Sequence, residues 1–254
     1  MHTAKLFASL PVLLALVLGA APARAETVNC TAITALPAVI TVQGIYCFTG
    51  DLATAMTGGA AIDIQTNNVV IDLNGFKLGG LAAGLGTQAN GIFANNRQNI
   101  TLKNGTIRGF FAGIALADSG SSQGHVVEDI RADQNRYVGI EVDGSGNIVR
   151  NNQVVATGGT TILGANADAY GILVYGAGPR VLNNDVIHTV KQGTGTAWGI
   201  WFGSTTGGLA VNNRITEADK GIEYIGASTG KYRDNLTFTV TTPFTGGTDA
   251  GNNN

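Results

Sequence analysis

One short pattern recurs along the 254-residue chain and constrains its fold more than any other feature. A glycine and an isoleucine open a brief alternating apolar run. A loop follows, and a second short run closes on asparagine or aspartate. The unit is clearest at Gly171-Ile172 with Asn184. It returns at Gly91-Ile92 with Asn104, Gly113-Ile114 with Asp129, and Gly139-Ile140 with Asn152. Two more copies are Gly199-Ile200 with Asn213 and Gly221-Ile222 with Asn235, and an earlier one runs from Ala61-Ile62 to Asn74. The offset from the opening residue to the closing one is 13 in four copies, 14 in two and 16 in one.

Units of roughly 25 residues belong to stacked-repeat architectures. A propeller blade needs about 40 residues, and a leucine-rich repeat needs a fixed leucine frame. Neither fits. The apolar residues alternate in short, evenly placed runs, which is the strand period, and no helical period of useful length follows residue 25. A coil that advances by one strand spacing per turn satisfies the pattern. The expectation is therefore an all-β parallel β-helix of about seven coils over residues 61–240, a rod roughly 34 Å long at about 4.8 Å per coil.

The repeated residues have physical reasons. The glycines precede the first strand, where a corner requires positive φ or close backbone approach. The isoleucines stack as an interior column. The asparagines stand at a corner, where a side-chain amide can bond backbone groups freed by the bend and its own copies above and below.

The ends read differently. Lys5, the apolar run Leu6 to Leu18, and Ala23-Arg24-Ala25 form a secretory signal peptide over residues 1–25. Export into a secreted or periplasmic setting, in a bacterium, is the expectation. Cys30 and Cys47 then meet an oxidising compartment and pair as a disulfide. Residues 26–60 read as a stapled N-terminal cap over the open edge of the stack. Residues 241–254 read as a polar tail, loose from Thr248. Removal of Lys5 and Arg24 takes the net charge from −2 to −4. A mildly acidic chain lacks the basic footprint that nucleic acid requires. No apolar run after the signal is long enough for a membrane span.

The segments Ile45-Tyr46-Cys47-Phe48-Thr49-Gly50-Asp51-Leu52 and Val69-Val70-Ile71-Asp72-Leu73-Asn74-Gly75-Phe76 look like the opening of many exported bacterial β-helix proteins. With the repeats over residues 61–240, the chain resembles the right-handed parallel β-helix (pectin-lyase-fold) superfamily. That superfamily includes pectate lyases, chondroitinase-B-like and alginate lyases, and mannuronan epimerases. The resemblance implies a right-handed coil and a polysaccharide partner. The chain departs from the family's catalytic patterns. It has no Asp-Pro-His motif, no paired-aspartate or Gly-His-Gly signature, and no Arg-x-Pro-x-x-Arg.

Alternation assigns the outside of the first sheet. With the isoleucines inward, one outward column reads Asp63, Phe93, Ala115, Glu141, Leu173, Trp201, Glu223. The next reads Gln65, Asn95, Ala117, Asp143, Tyr175, Gly203, Ile225. Aromatics beside carboxylates suit sugar, because ring faces pack on C–H surfaces and carboxylates accept hydroxyl hydrogen bonds. Phe93, Leu173, Tyr175, Trp201 and Glu223 are the binding candidates. A covering loop over Leu173 and Trp201 is the competing reading. Glu141 and Asp143, two apart on one strand, are the candidates for hydrolysis. Arg180, His188 and Lys191 are the candidates for elimination, where Ca²⁺ would have to bridge an acidic strip to a uronate. No other cofactor is implied. His125 has no evident partner. The long connections are 79–89, 157–169 and 190–197; two of them leave successive coils and are expected to stand side by side and wall one flank of the first sheet. Three functions fit: carbohydrate binding along the outer face, a lyase or glycoside hydrolase on that face, or a structural rod without a ligand.

Overall fold

The computed structural model describes residues 29–254; the expected signal peptide lies outside the described residues. The described chain is an all-β, right-handed parallel coil of about eight turns with no α-helix. Each turn lays down short strands on three sheets. The first sheet contains Ala38–Ile40, Ala60–Ile64, Asn90–Asn95, Ala112–Ala117, Val138–Val142, Ala169–Ala177 and Ala197–Thr206. The far ends of Arg214–Tyr224 and Leu236–Thr245 complete it. On this sheet every strand pairing between turns is parallel.

The isoleucine column forms in register: Ile62, Ile92, Ile114, Ile140, Ile172, Ile200 and Ile222 are successive Cα partners. All are buried. Each such side chain contributes about 1.5–3 kcal/mol relative to an exposed one. The glycine before each isoleucine is required by close approach. A Cβ on Gly139 would meet Gly171 O at 2.6 Å, and one on Gly171 would meet Gly199 O at 2.6 Å. Neither glycine has positive φ, so the alternative reason given above for the glycines does not apply to them.

The single asparagine column resolves into two. Asn104, Asp129, Asn151, Asn183, Asn212 and Asp234 take the left-handed conformation at the bend, with φ between 54° and 58°. One residue further on, Asn152, Asn184, Asn213 and Asn235 turn inward as a buried ladder. Asn184 Nδ2 donates to Val149 O and to Asn213 Oδ1, both at 3.0 Å. Its own Oδ1 accepts from the N–H and Nδ2 of Asn152, again at 3.0 Å. The ladder satisfies carbonyls and N–H groups that the corner removes from the sheets. Asn104 and Asp129 belong to the bend column, because Gly105 and Ile130 occupy the inward place.

The ends are part of the coil. Ala38 pairs with Ile62, Cys47 with Asp72, and Leu52 with Leu78, so residues 38–53 already form a turn on all three sheets. That turn accounts for eight where the repeats suggested seven. The disulfide Cys30–Cys47 ties the preceding strand Thr31–Ile33 to it. At the other end Thr248–Asp249 pairs with Gly230–Arg233, and Asn253 Oδ1 accepts from Asn235 Nδ2. The asparagine-rich terminus therefore extends the ladder, where a loose tail was expected. His125 also differs from expectation. It is buried, bonded to Ser122 Oγ at 2.7 Å, and its Nδ1 accepts from Ile100 N. Asn147 Oδ1 in turn accepts from His125 N, which makes a second buried corner ladder. Because Nδ1 is an acceptor, Nε2 carries the proton and donates to Ser122. The imidazole cannot then serve as a base for that hydroxyl.

Candidate functional site on the first sheet

The first outward column forms as the alternation requires. Asp63, Phe93, Ala115, Glu141, Leu173, Trp201 and Glu223 are successive partners. Beside them Tyr175 pairs with Gly203. A third outward column lies on the other side and was not read from the sequence: Ala112, Val138, Tyr170, Trp198, Lys220. Alternation does not announce it: the glycine and the isoleucine both face inward, as the approach of a Cβ on Gly139 to Val154 shows, so the residue before each glycine emerges on the outer face out of step. Ala112, Ala115, Val138 and Leu173 form an apolar cluster separate from the core, with Phe93, Tyr137, Tyr170, Tyr175 and Trp201 packed against it.

The aromatic rings are ordered along the coil axis. Phe111 stacks on Tyr137 at 4.9 Å, and Tyr170 on Trp198 at 4.8 Å with ring planes 1° apart. Those faces are consumed by their neighbours. Trp201 is different: it meets Tyr170 and Tyr175 edge-on, at 5.9 and 5.2 Å. Gly203 makes room for it, since a Cβ there would lie 1.9 Å from the indole and 2.6 Å from Tyr175.

Loops close one flank. The connections into the strands at Asn90, Ala169 and Ala197 are long, while those into Ala112 and Val138 are tight corners. Ala167 and Gln192 form an antiparallel bridge, so the two later loops stand side by side. Thr161 N donates to Leu85 O, and Thr160 N donates to Arg136 O. The loop at 157–168 thus lies back across the tight corners. Beneath it is a cavity of about 460 Å³, within the range of small-ligand sites. Its floor is Ala112, Ala115 and Val138, and Ile162 and Leu163 hang over it.

Glu141 lines this cavity, and Asp143 stands two residues on along the same face. Burial raises the Glu141 carboxyl above its ordinary value. Burial, and then the neighbouring Glu141 charge, push Asp143 up to about 7. Among the described residues no Lys, Arg or His forms a salt bridge with either. Asp143 Oδ1 and Trp201 Nε1 are buried without a hydrogen-bond partner among the described residues. Burial also raises Tyr170 and Tyr137, and Tyr175 to about 12, so all three phenols stay protonated.

The structure does not bring the remaining candidates to this place. Arg180 is exposed on the second sheet, where it pairs with Ile148 and Leu209. His188 Nδ1 lies 2.7 Å from Glu217, and Lys191 Nζ lies 3.1 Å from Asp219, and these four side chains line a separate depression with Ala197 and Ala218. Glu223 is 4% exposed and accepts from Trp198 Nε1 and Lys220 Nζ. Among the described residues no group of three or more His, Cys, Asp or Glu side chains comes together as a metal site. Nor, among them, is any helix long and apolar enough to cross a membrane.

The sequence matches the right-handed beta helix region family over residues 40–186 and again over 90–247, and the chain belongs to that family. Comparison with curated proteins returned no match. Among solved structures the chain is similar to the Dettilon tailspike protein gp208, with a TM-score of 0.57 and 15% identity over 82% of this chain and 47% of that one. It is also similar to the enzymatically active domain of bacteriophage CBA120 tailspike protein 2, with a TM-score of 0.55 and 12% identity over 84% and 39%. At these identities the likeness is one of fold. The chain spans less than half the length of either structure.

Proposed function

We propose that this protein is exported and binds a polysaccharide along the outer face of the first sheet, between Phe93 and Trp201. One observation carries the reading: the acidic pair Glu141 and Asp143 is held without a cation on an apolar, aromatic-walled strip. A merely structural surface would solvate or pair those carboxylates, because burying an unpaired charge is costly. Phe93, Leu173, Tyr175 and Trp201 supply the apolar contact, and the carboxyls supply hydrogen bonds to hydroxyls. The disulfide supports export to an oxidising compartment. Retarded migration of residues 26–254 in a gel containing the bound polysaccharide tests the reading. Unchanged migration across a broad panel would sink it.

Glycoside hydrolysis on the same face is the second reading, favoured by the Asp143 carboxyl at about 7. A group that holds its proton near neutrality suits a general acid. Asp143 would give its proton to the glycosidic oxygen as the C–O bond breaks. Glu141 would take a proton from the water that attacks the anomeric carbon. Two residues along a strand separate the Cα atoms by roughly 7 Å, compatible with an inverting pair. Elimination is less well supported, because Arg180, His188 and Lys191 stand away from the groove and nothing there would neutralise a uronate. New reducing ends without ultraviolet absorbance would mark hydrolysis; absorbance from unsaturated ends would refute it in favour of elimination.

A further inference from the structure

We infer that the groove under the 157–168 loop selects an uncharged sugar that carries a methyl group, as a 6-deoxy position or as the methyl of an acetyl substituent. The inference rests on the proposed carbohydrate reading and names the class of sugar that the site takes. Three observations carry it. First, the floor is built from side chains with no hydrogen-bonding group: Ala112, Ala115 and Val138. A hydroxymethyl group pressed against it would lose water and find no partner, whereas a methyl group gains from the same contact.

Second, the lip is apolar too. Leu163, 44% exposed, and Ile162 hang over the floor from a loop that is otherwise polar or small, Thr157 to Asp168. Thr161 N–Leu85 O and Thr160 N–Arg136 O hold that loop over the groove. Phe93 and Phe111 stand on either side. The polar atoms come from the margin: Gln88, Asn90, Tyr137 and Glu141. A ligand that matches has one apolar corner and hydroxyls around its rim.

Third, the charge is of one sign. Among the described residues no Lys, Arg or His lines the cavity; Arg136 sits one residue before Tyr137 but is not part of the lining. Glu141 lines it, Asp143 adjoins it, and the Asp118 carboxylate acts on Asp143 from the neighbouring turn. A uronate or sulfated sugar would bring a second negative charge into a low-dielectric recess that already disfavours the first.

The test is calorimetric titration of residues 26–254 with four probes: a rhamnose-rich oligosaccharide, chitotetraose, a galactose oligomer and oligogalacturonate. The expected result is that rhamnose or N-acetylglucosamine oligomers bind about tenfold or more tighter than the galactose oligomer, with no heat from oligogalacturonate. One buried methyl group is worth about fourfold, and the unsatisfied hydroxyl it replaces supplies the rest. The two methyl-bearing probes separate a deoxy from an acetyl source. Leu163→Ser, on an exposed loop, should cut that preference to below threefold. Equal binding of the galactose oligomer, or tighter binding of oligogalacturonate, would overturn the inference while leaving the carbohydrate reading standing. No heat with any probe, joined to unchanged migration across the polysaccharide panel, would overturn both.

Discussion

Glu141 and Glu223 occupy the same outward column of one sheet, three turns apart, yet their surroundings are opposite. Glu223 is flanked in the third column by Lys220, which donates to it, while Trp198 Nε1 takes its other oxygen. Glu141 has Val138 in the place of Lys220, and Asp143 beside it. The repeat specifies where a side chain points. The neighbour three residues back decides whether its charge is cancelled or left standing. A solenoid can therefore carry a structural carboxylate and a chemically available one at equivalent positions, and one substitution in the adjacent column separates them.

Lys220→Met should break the structural half of the pair. Glu223 would remain buried with its cation gone, which costs about 3 kcal/mol in urea unfolding at pH 7. The deficit should shrink in acid, where the stranded carboxyl takes up a proton. Glu141→Gln should cost less than about 1 kcal/mol, since no partner is lost, while polysaccharide retardation weakens. Equal losses from the two substitutions would erase the distinction.

The second expectation concerns pH. The folded value for Asp143 is about 7 against an ordinary 3.8, so between these the folded chain holds a proton that the unfolded chain has released. Acidification through this window therefore favours folding. His125 has the opposite sign. Its folded value is about 4 against an ordinary 6.5, because burial disfavours the imidazolium. Between those values only the unfolded chain takes up the proton, so acidification favours unfolding. Each effect amounts to about 3 kcal/mol, with Asp143 discounted for its partial exposure. They offset one another in the native protein. Asp143→Asn should expose the His125 contribution as a loss of about 3 kcal/mol between pH 6.5 and pH 4, where the unsubstituted chain changes little. A flat profile in Asp143→Asn would contradict the assignment.

Val138→Lys would make the available half resemble the paired half. The new ammonium should pull the Glu141–Asp143 pair back down toward ordinary carboxylate values, because a nearby positive charge favours the ionised form. Carboxyl titration followed by NMR would show it. Gly203→Ala is the mildest intervention. Its Cβ would displace the Trp201 ring, with a stability cost of about 1 kcal/mol and a loss of binding out of proportion to it.

The sequence carried the architecture because the same steric demands recur on every turn. Ile140 and Ile172 must point inward, Gly139 and Gly171 must pass close to the next backbone, and Asn184 must satisfy a corner. Alternation then placed Phe93, Glu141, Tyr175 and Trp201 outside. It did not place Arg180, because the pairing of Arg180 with Ile148 and Leu209 puts it in a strand of the second sheet, whereas His188 and Lys191 lie in the connection that follows Asp185–Ile187. Nor could it separate Asn104 from Asn152, because an offset of 13 serves both the bend and the ladder when loop lengths compensate. The groove itself depends on the 157–168 loop reaching back to Leu85 across two tight corners. That reach has no period to announce it.

Ligand is expected on the first sheet beside the unpaired carboxylates, and the chain carries its own reporters there. Trp198 and Trp201 are its two tryptophans, and both stand on that face. Emission followed during polysaccharide titration is the most direct measurement. The expected result is a saturable change that persists in Trp198→Phe and disappears in Trp201→Phe. Polysaccharide retarding the protein in a gel, with the emission of both indoles unchanged at saturation, would contradict it.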